Sequence, residues 1–180
     1  TYPSFRAFGD TQLTSPGTQG EVDRDAQQMM LQLLYTDREL GKLIRRMKAQ
    51  GTWDETLFIV TADHGASFLK GGSRRILDVF NSGWVVPVPL FVKFPGQQRG
   101  RIVRGTADGR DVAATVMGEL GLERLEGMKG RDLASVRTLP RQKKVEVNSV
   151  LNGPAEMEME SVRRNQALAS RYMQKLLGRS

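Results

Sequence analysis

The segment Thr56–Phe68 reads TLFIVTADHGASF and holds the chain's single histidine. Thr56 to Thr61 is a short, nearly continuous apolar run, the pattern of a strand covered on both faces in a parallel sheet. It ends abruptly in an acid, an imidazole and a glycine. In open α/β sheets the ligand site lies beyond the carboxyl ends of the strands, where side chains leave the core yet stay anchored to it. Asp63 and His64 occupy that place. A carboxylate oxygen beside a neutral imidazole suits a divalent ion, and Gly65 would allow the sharp backbone turn that brings the two together. The rival reading is a plain turn, with Asp63 capping backbone amides and His64 packed on a neighbour. Two donors do not complete a catalytic metal site, and no second histidine is available as the third ligand.

Working outward, Val22 to Gln50 repeats apolar residues at three- and four-residue steps (Ala26, Met29, Met30, Leu33, Leu34, Leu40, Leu43, Ile44, Met47), the mark of a long amphipathic helix closed by Gly51. Asp37 and Gly41 fall on that stripe, so a buried, structurally tethered Asp37 is expected. Val88 to Phe94 is a second buried strand, restricted by Pro89 to a strand start or an edge. The join from Ala66 to Pro87 is long, basic and glycine-containing, and such loops commonly carry function. Asp111 to Leu120 reads as a short helix with Val112, Val116, Met117 and Leu120 inward. Lys143 to Gly153, KKVEVNSVLNG, alternates like an edge strand or hairpin arm. Ser161 to Leu177 is a basic amphipathic helix turned inward through Val162, Leu168, Ala169, Tyr172, Met173, Leu176 and Leu177. The Thr, Ser, Pro, Gly and Gln content of residues 1–20 predicts an irregular leading segment. The divisions expected are therefore 1–20, 21–136 and 137–180.

Twenty-seven Lys and Arg against twenty Asp and Glu give a net charge of +7 over 180 residues, which points to an anionic partner. The positives are dispersed and few aromatics are interleaved among them, so a nucleic-acid surface is not expected. The lack of cysteine excludes disulfides, thiolate ligands and a cysteine nucleophile. No apolar run reaches the length of a membrane span. The start, TYPSFRAFGD, has neither an initiator Met nor a signal-peptide pattern, and reads as the cut end of a longer protein.

Taken together, Tyr35–Phe68 (YTDRELGKLIRRMKAQGTWDETLFIVTADHGASF), Val88–Gln97 (VPLFVKFPGQ) and Arg110–Leu133 (RDVAATVMGELGLERLEGMKGRDL) resemble, in order and spacing, the sulfatase branch of the alkaline phosphatase superfamily. Bacterial membrane-anchored sulfatase-like proteins are the nearest in kind. The resemblance implies an α/β fold, an alkaline-phosphatase-like sheet flanked by helices, present here without its N-terminal side. It implies Asp63 and His64 as metal ligands, for Mn or Zn first and Ca or Mg next. It also places Lys70 where relatives hold the anionic group, with Arg74 and Arg75 in similar roles. Family members carry a formylglycine, Thr or Ser nucleophile and further metal carboxylates upstream. TYPSFR (Thr1–Arg6) does not reproduce that motif and lies too near DHG. The expectation is a fragment of a metal-dependent hydrolase of sulfate or phosphate esters, inactive alone and completed by the missing N-terminal half. Its parent would be anchored in a bacterial membrane and face outward. The alternatives are a phosphoglycerol or phosphoethanolamine transferase of the same superfamily, and a noncatalytic basic module that binds anionic polymers or lipid surfaces through Arg99, Arg101, Arg104 and the terminal helix. A fragment with an open sheet edge would also be prone to form a homodimer.

Overall fold

The computed structural model describes residues 17–139, 144–149 and 153–178. These form two compact units, one from 17–36, 62–88, 144–149 and 153–178, the other from 37–61 and 89–139. The first unit holds the start of helix α1 (Gln19–Ala49), the single-turn helix α2 (Ser82–Val85), a hairpin and a C-terminal helix. The irregular stretch expected over 1–20 lies mostly outside the described residues. Where it is described, α1 has already begun at Gln19. The sequence TQGE explains the early start: Glu21 Oε2 accepts from the Thr18 amide at 3.1 Å, and Thr18 Oγ1 accepts from the Glu21 amide at 3.3 Å. That reciprocal pair satisfies amides that the first helical turn leaves open.

Val22 and Ala26 of α1 join Phe68 in a small core, against which Met29, Ala66, Trp84, Tyr172, Met173 and Leu176 pack. The last three come from α4 (Met159–Leu176). The predicted terminal helix is thus present, but Leu168 and Leu177 face solvent, because Val162 and Ala169 define its buried line. The hairpin arm is present too, as β3 (Lys144–Ser149) paired antiparallel with β4 (Gly153–Glu158), Val145 opposite Met157.

Helix α1 continues into the second unit and stops where glycine was expected to stop it. Gly51 adopts φ 73°, and the amides of Gly51 and Thr52 return to the carbonyls of Lys48 and Met47. The apolar stripe along α1 is fully buried only near its start: Leu31, Leu33, Leu34 and Leu43 are exposed, and Leu40, Ile44 and Met47 are half-buried. Asp37 is exposed with them, which corrects the expectation of a buried acid. Periodicity shows which residues share a face, not what covers it.

The strands are shorter than their apolar runs and run oppositely to expectation. β1 (Phe58–Thr61) and β2 (Leu90–Lys93) pair antiparallel, Phe58 opposite Lys93 and Thr61 opposite Leu90. A parallel pair needs a crossover, usually helical, and the link between these strands contains only the one-turn α2. Both strands are half-buried rather than enclosed, and Phe91 is exposed. Pro89 directly precedes β2, at the permitted strand start. Behind β1, Lys93 Nζ donates to the carbonyls of Asp54 (3.1 Å) and Thr56 (3.2 Å) and to that of Trp53, whose ring lies beneath it.

Helix α3 (Gly109–Glu119) starts with a capping box between Asp108 and Asp111. Its buried face is Asp111, Ala114 and Thr115, whereas Val112, Val116 and Met117 are half-buried and Leu120 is exposed. The inward assignment of Leu120 is therefore corrected. The covering segment is polar: Arg131 donates to Asp111 from its backbone amide (2.8 Å), Nε (3.3 Å) and Nη2 (2.8 Å), and the Leu133 amide donates to Thr115 Oγ1 at 3.0 Å.

Candidate functional site

Just past β1 the chain presents Asp63 and His64 toward each other. Asp63 Oδ1 accepts from the His64 amide at 2.9 Å, and Asp63 Oδ2 lies 3.6 Å from His64 Nε2. The carboxylate thus fulfils the turn-capping role with one oxygen and keeps the other beside the imidazole. His64 Nδ1 lies 2.8 Å from the Gly65 carbonyl. A proton on Nδ1 donates to that oxygen and leaves the Nε2 lone pair free to face the carboxylate, the arrangement in which a backbone carbonyl fixes the tautomer of a ligating histidine. Two donors each about 2.1 Å from one ion can be at most about 4.2 Å apart, and this pair meets that condition. The Asp63 side chain is 87% exposed and that of His64 36%, so an ion has access. Among the described residues no group of three or more His, Cys, Asp and Glu converges. The pair fits a divalent ion as two of its ligands.

Gly65 earns its place by size rather than by a left-handed turn. It is absent from the glycines of positive φ, and a methyl group on it would sit 1.9 Å from the Trp84 carbonyl oxygen. Its amide donates to Val85 O at 2.8 Å. The basic loop therefore leaves at Ala66 and returns to the site at Val85. Inside it, the Ser67 amide donates to Arg74 O at 2.8 Å and Phe68 meets Trp84 edge-on at 5.7 Å.

The three basic residues singled out from the sequence are not equivalent. Lys70 is exposed at the centre of a turn closed by Gly72 N to Leu69 O. Arg75 is exposed as well. Arg74 is buried at 6%: its Nη2 pairs with Asp25 of α1, and its guanidinium lies 5.5 Å from the Phe68 ring centre. Its place is therefore inside the loop, apart from the two exposed cations. The buried Asn81 was not foreseen. Its Oδ1 accepts from the Asp78 amide (2.8 Å), its Nδ2 donates to the carbonyls of Ser73 (3.1 Å) and Ile76 (2.8 Å), and Asp78 Oδ1 accepts from its amide (2.8 Å). The spacing of Asp78 and Asn81 in DVFN was the signal available for that turn.

The family model described as Sulfatase matches residues 2–122. Similar curated proteins include the multifunctional alkaline phosphatase superfamily protein PehA of Trinickia caryophylli, 32% identical over 52% of this chain and 18% of its own length. An ulvan-active sulfatase of Formosa agariphila is 25% identical over 56% of this chain and 20% of its own. An endo-4-O-sulfatase of Bacteroides thetaiotaomicron is 31% identical over 48% and 17% respectively. The matched region spans about a fifth of the length of these relatives. No solved structure matches. The helices and small antiparallel sheet agree with an α/β fold of the alkaline-phosphatase type, and the match over residues 2–122 shows that the chain belongs to the sulfatase family.

Proposed function

We propose that this chain is the part of a metal-dependent sulfatase-like hydrolase that supplies two ligands of the catalytic ion, Asp63 and His64, and cations for the ester's anionic group, Lys70 and Arg75. The observation that carries the reading is the convergence of Asp63 Oδ2 and His64 Nε2 at 3.6 Å with Nδ1 held by Gly65 O. The carboxylate and imidazole favour Mn or Zn, with Ca or Mg next. When bound, such an ion stabilises charge on the ester oxygens and activates the nucleophile. The chain's own share is to orient the two donors and to attract the substrate anion through the exposed end of the basic loop. Arg74 serves that end indirectly, by fixing the loop on Asp25.

The nucleophile and the remaining ligands belong to the N-terminal half of the domain, which also covers the exposed apolar face of α1. The 180 residues alone are then inactive. In keeping with the resemblance to outward-facing membrane-anchored proteins, the parent acts on the extracytoplasmic side; among the described residues no helix is long and apolar enough to cross a membrane. A phosphoglycerol or phosphoethanolamine transferase is the second reading, in keeping with the resemblance to the alkaline phosphatase superfamily. The test is turnover by the longer gene product containing these residues. The proposal predicts sulfate release from an aryl sulfate, abolished by a chelator and by His64→Ala. Phosphoglycerol or phosphoethanolamine transfer without sulfate release selects the second reading, and neither activity overturns both.

A further inference from the structure

We infer that the C-terminal helix α4, acting through Asn165, is a positioning element for the Asp63–His64 pair. The inference rests on the reading of that pair as metal ligands. Helix α4 lies beyond residues 2–122, the extent of the family match, so the family assignment gives it no role.

The link is α2, whose last residue, Val85, supplies the carbonyl that holds Gly65. A single turn of helix has too few hydrogen bonds to persist alone, so its position must be imposed by what it touches. Among the helices and strands it packs chiefly on α4, with Phe68 of the loop against its Trp84 ring. Asn165 Nδ2 donates to Val79 O at 2.7 Å and to Ser82 Oγ at 3.0 Å, fastening both the residues leading into α2 and its first residue. Gly83 brings the two backbones together: a Cβ there would lie 2.0 Å from Gln166 N and 2.1 Å from Asn165 C. Ser82 and Gly83 are buried in that crossing. Two turns further along α4, Tyr172 meets Trp84 edge-on at 5.5 Å, and the Tyr172 hydroxyl donates to Asp23 of α1 at 2.6 Å. Helix α4 is thereby held against α1 while it holds α2.

From α2 the connection to the site is short. Val85 O accepts from Gly65 N at 2.8 Å, and Gly65 O in turn accepts from His64 Nδ1 at 2.8 Å. The steric limit at Gly65, where a methyl would meet Trp84 O at 1.9 Å, leaves this contact no slack. A ligand imidazole works only while its ring is held close to the productive angle, and partners behind it set that angle. Displacing α2 moves the Gly65 peptide, and the His64 ring moves with it.

The test uses Asn165→Ala, with Leu168→Ala on the exposed side of the same helix as control. Because His64 is the only histidine, its Cδ2 and Cε1 proton signals report the site without overlap. In the metal-free chain, well below its unfolding midpoint, Asn165→Ala is expected to shift or broaden those signals and to weaken Zn2+ binding by about tenfold. Leu168→Ala should change neither. Gly83→Ala should act like Asn165→Ala if it folds, and Asn165→Ala decides the matter if it does not. A variant Asn165→Ala that lowers the midpoint yet keeps wild-type imidazole signals and Zn2+ affinity overturns the inference. If the wild type binds no Zn2+, or binds it equally after His64→Ala, the metal reading fails, and the metal-free imidazole signals still decide whether α4 positions the ring.

Discussion

The amide of Gly65 and the carbonyl of Val85 meet at 2.8 Å, closing the basic loop onto the residue after the histidine, and Gly65 Cα faces the Trp84 carbonyl so closely that a Cβ would lie 1.9 Å from it. Gly65→Ala must therefore push α2 away from the site. The expected cost is about 2–3 kcal/mol, as for an overpacked core. One tryptophan lies in each compact unit, Trp84 in the first and Trp53 in the second, so urea unfolding followed by Trp84 fluorescence in a Trp53→Phe background measures it locally.

Arg74 and Lys70 should separate in the same assay. Arg74→Met strips Asp25 of its partner and Phe68 of the overlying guanidinium. Because Asp25 keeps partial solvent access, the expected loss is about 2–3 kcal/mol, below that of a fully enclosed pair. Lys70→Met, on an exposed turn, should stay within about 0.5 kcal/mol. Equal effects of the two would refute the division of labour within the basic loop.

Tyr172 and Asp23 give the fold a pH signature. Burial, and then the hydrogen bond to Asp23, raise the Tyr172 pKa above its ordinary value of 10. The folded state then binds that proton more tightly than the unfolded chain does, so the stabilisation is fully present below pH 10 and is lost as pH rises beyond it. The Asp23 carboxyl is lowered from 3.8, chiefly by the Tyr172 hydroxyl and next by Gln19. Its stabilisation is present above that value and lost as pH falls below it. Tyr172→Phe should lower the unfolding midpoint at neutral pH and flatten its decline above pH 10. An alkaline decline as steep as the wild type's would remove Tyr172 as its cause.

In the second unit, Asp111 has a side chain only 1% exposed and accepts from Arg131 and from the Asp108 amide. Asp111→Asn turns a donor toward the Arg131 guanidinium and removes the carboxylate with which it is paired. The expected loss is about 3 kcal/mol, read through Trp53 in a Trp84→Phe background, and an unchanged midpoint would dismiss the linkage.

Particular residues show which features the sequence exposes. The end of α1 at Gly51, the strand before Asp63, the hairpin and the last helix were legible because each depends on a local pattern of a few residues. The direction of β2 was not, since a continuous apolar run carries no information about which way its partner runs. Leu34 and Asp37 were misplaced for a related reason: a stripe of apolar residues is visible, whereas its cover lies elsewhere in the chain or outside it. Arg74 and Arg75 are adjacent and identical in type, and only the fold, by bringing Asp25 to one of them, tells them apart. The pairing of Asp63 with His64 was readable; the reliance of Gly65 on Trp84 and of α2 on Asn165 was not, because both are close approaches between distant segments.

Asp63 and His64 should bind a divalent ion together. Loss of the free Mn2+ electron paramagnetic resonance signal on titration with the 180-residue chain tests it without requiring turnover. The wild type should attenuate the signal, and the attenuation should disappear in both Asp63→Asn and His64→Ala while both variants stay folded. No attenuation by the wild type, or attenuation unchanged in the two variants, would contradict it.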